Sequence, residues 1–342
     1  MSERHAHSSI TIVPFVLPFA AVLRSSSKYL PSLVPAFGWG AMFPIADSAI
    51  KHVDPFHLTA IRYLIASVAF LALLWAFEGT RALRLEGRGI ELFLFGSAGF
   101  AGFNLLAFAG LEHTTPEHAA LIVATSPLLT LLAAAALARK APSKVTFGFV
   151  ILALVGLLLV IGHGDPATLI DGGINGGDLL VLLGTASFVV YTLGARRFTG
   201  YSALRYTALS AAGGTITVLA VTEIATLAGW YAAPSAGDIG AIWWQLIYVV
   251  VIGALAAVLA WNEGVRRLGA PNAALFMNLV PVVAFMIAIV RGYHPDAPEL
   301  GGAALTVAAL IGANLASRQE TRRPVRAAWA RTRSVKPAKS RA

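Results

Sequence analysis

A chain of 342 residues with 57% hydrophobic content, 13% charged content and a mean hydropathy of +0.72 cannot bury its apolar surface in a water-soluble core and still coat its exterior with charge. It reads as an integral membrane protein. The absence of Cys excludes disulfides, thiol catalysis and Cys-based metal sites, and the +9 net charge sits in loops and a tail, which points away from nucleic acid.

Residues 1–30 hold a 14-residue apolar run, ITIVPFVLPFAAVL, which is shorter than a span and interrupted by Pro14 and Pro18; an interfacial segment and a signal-like stretch are both compatible with it. Ten apolar spans of about 20 residues follow, at 31–50, 56–77, 90–111, 117–138, 145–163, 177–195, 203–223, 240–262, 272–291 and 299–316. The longest interruption is the Gly- and Asp-rich linker before span six. The organisation expected is an N-terminal segment 1–30, a five-helix repeat 31–163, an extracytoplasmic linker 164–176, a second repeat 177–316 and a basic tail 317–342. With the N-terminus inside, 23 of the 26 Lys and Arg fall on the cytoplasmic side, Lys51 and Arg291 lie outside and Arg62 lies within a span. Both termini are therefore expected in the cytoplasm. The tail suits contact with anionic lipid at that leaflet.

One pattern occurs twice. GLEHTTPEHAALIVATSP at 110–127 and GVRRLGAPNAALFMNLVP at 264–281 share Gly, Ala-Ala-Leu and Pro at a shift of 154 (Gly110/Gly264, Ala119/Ala273, Ala120/Ala274, Leu121/Leu275, Pro127/Pro281). Each Pro falls roughly eleven residues into its apolar run, which at about 1.5 Å per residue is the middle of the bilayer. An interior Pro removes a backbone donor and frees a carbonyl, and such breaks in corresponding helices of two halves point to a central transport site; close helix packing is the other reading. Five spans per half make the repeats antiparallel. The fold class is thus all-α, ten transmembrane helices as two inverted five-helix repeats. Ten helices need no partner to close a pathway, so a monomer is expected.

GWGAMFPIAD in the first span, DPFHLTAIRYLIAS opening the second and TTPEHAALIVATSPLLTLL in the fourth resemble the EamA-type branch of the drug/metabolite transporter superfamily over about residues 31–317. The first-helix Trp-Gly pair is Trp39-Gly40, the second-helix Pro and Arg are Pro55 and Arg62, and the fourth-helix Ser-Pro is Ser126-Pro127. The second half departs from that pattern, with Phe188 near an expected Trp and Val280 before Pro281. The resemblance implies an inner-membrane exporter or exchanger of small metabolites, such as amino acids or related compounds, working without ATP. Such families carry many different cargoes.

Ionisable groups within spans are costly and are functional candidates by default. Asp47 shares a helical face with Trp39 and Phe43, an aromatic surface ending in an anion that suits an amine or a coupling proton; its alternative is a pair with Lys51 four residues on. Arg62, about a third of the way down its span, is first expected to pair with Asp47 and second to capture a substrate carboxylate. Asn104 and Asn278 place uncharged amides near mid-depth, for substrate or for interhelical bonding. Phe188 and Tyr191 give span six a mixed face, and Thr207, Ser210, Gly214 and Thr217 give span seven one suited to close packing. Glu91, Glu223 and Glu263 sit at span ends. The cluster Glu112, His113, Glu117, His118 lacks the i, i+4 His pair of a helical metal site, so no metal is assigned. No Walker loop, helical HExxH or GxSxG appears, so no cofactor and no enzyme are expected. A passive channel is the competing class. The reading that remains is an alternating-access carrier with Trp39, Phe43, Asp47, Arg62, Asn104, Phe188, Tyr191 and Asn278 at the substrate and Pro127 and Pro281 as hinges.

Overall fold

The computed structural model describes residues 29–137, 139, 141, 143–161, 164–165, 175–309, 311–312 and 315–316, with the side chains at 117, 146, 150, 157, 161, 271, 272, 275, 278 and 281 outside that description. The N-terminal apolar run, most of the linker and the basic tail lie outside the described residues. So do the side chains of two candidates, Asn278 and Pro281.

Among the described residues there are helices and no strands. We number them α1 (Leu30–Gly40 and Met42–Ile50), α2 (Pro55–Glu78), α3 (Gly89–Leu111), α4 (Pro116–Val123 and Ser126–Leu137), α5 (Lys144–Ile161), α6 (Gly176–Gly194), α7 (Ala203–Leu227), α8 (Trp243–Leu268), α9 (Ala270–Val290) and α10 (297–309). Seven of them, α1 to α4 and α6 to α8, are long and apolar enough to cross a membrane; the apolar part of α5 is shorter. The helices start where polar caps allow. Asp54 accepts from the backbone of Phe56 and His57, each at 3.0 Å, with Pro55 at the first helical position of α2. Asn175 and Asp178 form a reciprocal capping box on α6, and Ser202 caps α7.

The loops sort to two ends. At the basic end the α2–α3 and α6–α7 connections meet, with Arg88 donating to the Arg197 carbonyl at 2.7 Å and Arg197 pairing with Glu91 at 3.1 Å. At the other end Thr114 donates to Asp178 and Tyr231 donates to Glu112 at 2.7 Å. Burial first, and that carboxylate second, push the Tyr231 phenol above its usual range. α1 begins at the basic end, where Ser32 lies against Gly264, and α6 begins at the opposite end, so the first helices of the two halves run in opposite directions.

Glycine sets how closely the halves approach. A methyl at Gly96 would fall on the Ser210 carbonyl, one at Gly214 on the Gly96 carbonyl and one at Gly99 inside the Tyr191 ring, so α3 packs backbone to backbone on α7 and against α6. α2 lies along α7 with Ser67 and Thr215 sharing a 2.6 Å hydrogen bond. α1 wedges between α8 and α9, with Gly40 against Val283. The close-packing expectation for α7 therefore holds at Gly214.

Candidate functional site

Among the described residues five helices depart from regular α geometry, α1 by a turn at Ala41 and four others that the repeat pairs. Residues Ser97–Gly102 of α3 and Tyr248–Ala256 of α8 are π-helical, and the shift of 154 that aligns the two halves also aligns Gly99 with Gly253 inside these segments. In α4 the helix turns at Ala124 and Thr125, immediately before Ser126-Pro127; in α9 a 3₁₀ stretch, Ala274–Asn278, precedes residue 281. Pro127 has no N–H for the Val123 carbonyl, and the Ser126 hydroxyl takes its place, while Thr125 donates to Ile122 O at 2.6 Å. The break in α4 is thus satisfied by its own side chains.

Around these segments the rings form one continuous wall. Trp39 of α1 stands edge-on to Phe188 of α6, centroids 5.5 Å apart, and 5.8 Å from Trp261 of α8. Phe188 lies 5.8 Å from Tyr191, Tyr191 lies 5.2 Å from Phe100, and Phe100 lies 5.2 Å from Tyr63. Each such contact adds about 0.5–1.5 kcal/mol beyond area burial, which makes the wall stiff. Trp39 Nε1 donates 2.9 Å to the carbonyl of Gly253, satisfying a group in the π-helical segment of α8. Phe43 is fully buried below Trp39 on the same helix.

On the far side of Gly253 is Arg62. A Cβ at that glycine would lie 3.3 Å from Arg62 Nη2. The guanidinium is 1% exposed, sits with Cζ 4.8 Å from the Tyr63 centroid and 5.7 Å from that of Phe108, and donates through Nη1 to Asn104 Oδ1 at 2.8 Å. Asn104 is held in turn by its Nδ2 donating to Phe100 O at 3.0 Å. Arg62 Nε has no partner, and among the described residues no carboxylate lies within ion-pair distance of Arg62. The expected Arg62–Asp47 pair is not formed. Asp47 instead bonds Lys51 at 3.2 Å, both partly exposed, because one helical turn brings that partner to it without burying either charge.

Trp39, Phe43, Arg62, Asn104, Phe188 and Tyr191 therefore meet in one region, and Asp47 stands apart at the helix end. Two residues of that region, Trp261 and Asn262 of α8, were missed by the sequence reading. Asn262 Nδ2 donates to Tyr191 Oη at 2.6 Å and to Thr207 Oγ1 at 2.7 Å, leaving Oδ1 unpartnered. Whichever way the amide is turned, one end of it lacks a partner. Asn262 also lines a cavity of about 360 Å³ that reaches the basic end beside Tyr206, Arg196 and Arg266. A groove of about 870 Å³ approaches the π-helical segment of α3 from the other end, past Trp230, Tyr231 and Glu112. Glu263, expected at an interface, is buried and clasped by Arg266 and Arg267.

Residues 26–162 and 175–315 each match the model of the EamA-like transporter family. The chain is 32% identical over 295 residues to an uncharacterized transporter, YrdR, of Bacillus subtilis, covering 85% of this chain and 92% of the relative. It is 30% identical to a second, YyaM of the same organism, over 80% of this chain and 89% of that one. A protein of Streptantibioticus cattleyicolor named a probable terminal-alkyne amino-acid exporter is 25% identical over 84% of this chain and 94% of its own. A solved crystal structure at 22% identity superimposes with a TM-score of 0.63 over 86% of this chain and 98% of that one, which shows a shared fold.

Proposed function

This chain belongs to the EamA-like transporter family, and from that premise we propose that it is a secondary carrier which moves a small metabolite across the cytoplasmic membrane by alternating access. In this reading ten helices cross the bilayer as two inverted repeats, both termini face the cytoplasm, and the cargo is an amino acid or related compound, exported or exchanged. The cargo class leans on the amino-acid exporter among the relatives. A monomer contains the pathway, and a proton remains the candidate coupling ion.

The observation that carries the reading is the pairing of irregular helices. Two π-helical segments and two helix breaks fall at corresponding places in halves that run in opposite directions, and they surround one aromatic and polar region. Such segments have freed or re-directed backbone groups and are where a helix can bend at low cost, whereas a rigid pore has no need for them in matched pairs. The cavity beside Asn262 fits an entry to this region from the basic end.

Counterflow separates this from a passive channel. Proteoliposomes preloaded with unlabelled amino acids should transiently accumulate the labelled species above its external concentration. A channel would only equilibrate the label, and that result would refute the carrier.

A further inference from the structure

We infer that Arg62 is the substrate anchor and that the carrier selects a carboxylate attached to an apolar or aromatic body, with no requirement for an amine. This rests on the carrier reading above and names its substrate class. Four charged side chains are buried among the described residues: Arg62, Asp178, Glu263 and Glu299. The three acids sit near helix ends and are met by donors: Asp178 by Thr114 and the Asn175 backbone, Glu263 by Arg266 and Arg267, Glu299 by the Tyr293 hydroxyl and the Asp296 backbone. Arg62 is different. It lies inside a span, its one hydrogen bond goes to a neutral amide, and Nε is bare.

A buried, uncompensated guanidinium is expensive in a membrane interior. Its neighbours are two ring faces, Tyr63 and Phe108, and one neutral amide, so no anion among the described residues offsets its charge. Its planar fork matches a carboxylate through two parallel N–H donors, and Asn104 holds one arm so that Nε and Nη2 remain for a ligand. On that side Gly253 contributes no side chain and the flexible end of Met42 is what a ligand would displace, and the wall from Tyr63 through Phe100 and Tyr191 to Phe188 and Trp39 supplies apolar surface for the rest of the molecule. No buried acid in this region waits for an ammonium, so a zwitterion leaves its positive end to the ring faces alone. An acylated or deaminated acid is the better match.

The test uses matched acid and amide pairs on the purified full-length protein in detergent: phenylacetate against phenylacetamide, and N-acetyl-leucine against its amide, with leucine alongside. Thermal shift titration should show the acids binding at least about tenfold tighter than the amides, and N-acetyl-leucine tighter than leucine. Arg62→Met should abolish the acid preference while keeping a cooperative melt without ligand, because one hydrogen bond to Asn104 and two ring contacts are all that the substitution removes. Asn104→Asp should abolish it by a second route, since its carboxylate would occupy Arg62 from within. Amides as good as acids, a preference that survives in Arg62→Met, or silence across the whole panel would overturn the inference. Counterflow with the same probes keeps the two claims separable: acid binding through Arg62 without counterflow would sink the carrier and keep the anchor. Counterflow of amides undiminished in Arg62→Met would do the reverse.

Discussion

In the first half the buried amide of the third helix, Asn104, meets a guanidinium; in the second half the buried amide of the corresponding helix, Asn262, meets a phenol and a hydroxyl. The backbones beneath them match more closely than the side chains do. Gly99 and Gly253 stand 154 residues apart inside equivalent π-helical segments, while Asn104 and Asn262 are one turn out of register. Two identical halves would give a site with two identical poles, unable to orient a cargo that has a charged end and an apolar end. What the two halves keep in common is the irregular backbone; what differs is the side-chain chemistry. The first half holds the charge and the two rings against it, Tyr63 and Phe108, and the second half adds Phe188, Tyr191 and Trp261 to the wall.

The shared backbone is the more fragile part, and its two glycines should not respond alike. Alanine at Gly99 puts a methyl into the Tyr191 ring, which is pinned by Asn262, Phe100 and Tyr206 and has nowhere to go. Overpacking of that kind costs about 3 kcal/mol, near the upper end of the usual range. Alanine at Gly253 meets Met42 Sδ at 3.0 Å and Arg62 Nη2 at 3.3 Å, the free ends of flexible side chains, and should cost about 1 kcal/mol. Melting temperatures in detergent should therefore separate Gly99→Ala from Gly253→Ala clearly. Equal losses would mean that the second half is as tightly locked as the first.

The amides come next in size. Asn104→Leu strips the guanidinium of its one hydrogen bond and should cost about 2 kcal/mol, since bonds to charged groups are the stronger ones. Asn262→Leu removes two neutral bonds whose partners are not both stranded, because Thr207 keeps its bond to Ala203 O, and should cost about 1 kcal/mol. The reverse order would put the electrostatic weight in the second half and contradict the division of labour drawn here.

How much of this could be read in the chain depends on which physical signal each feature leaves. Apolar runs mark the helices directly, seven of them long and apolar enough to cross a membrane where ten spans are expected, and the Pro127/Pro281 register marks the helix break seen before residue 127. The π-helical segments leave no compositional trace, because a shift from i+4 to i+5 bonding changes no residue type; the Gly99/Gly253 register was the available clue. Trp261 and Asn262 were missed because their neighbour Glu263 reads as a span end, and the aligned position of Asn262 in the first half is Phe108, so the repeat offered no echo. Arg62 was recognised as costly but given the wrong partner. Spacing along one helix ties Asp47 to Lys51, whereas the Arg62–Asn104 contact joins two helices whose relative rotation no local pattern reports.

The smallest effect expected is also the most pointed contrast between the halves. IRYLIASVA at 61–69 and LRYTALSAA at 204–212 carry Arg62 and Arg205 in the same local context. Arg205 donates to Ala82 O at 2.9 Å and to Arg84 O at 2.7 Å and pairs with Glu86 at 2.7 Å, at the edge of the bundle where water can replace each of these partners. Its loss in Arg205→Met should lower stability by no more than about 1 kcal/mol, as for other pairs with a solvent-exposed member, and the loss should shrink as salt is added. Arg62→Met leaves the buried Asn104 oxygen without its donor and should cost about 1 kcal/mol as well, but that loss should not change with salt, because the guanidinium is buried and pairs with no ion. Two arginines in similar local sequence, though at a shift of 143 and not the 154 of the repeat, would then respond differently to salt after the same substitution. If the loss in Arg62→Met shrank with salt as that in Arg205→Met does, Arg62 would have to sit in a water-accessible ion pair, and the polarity proposed for the site would lose its positive pole.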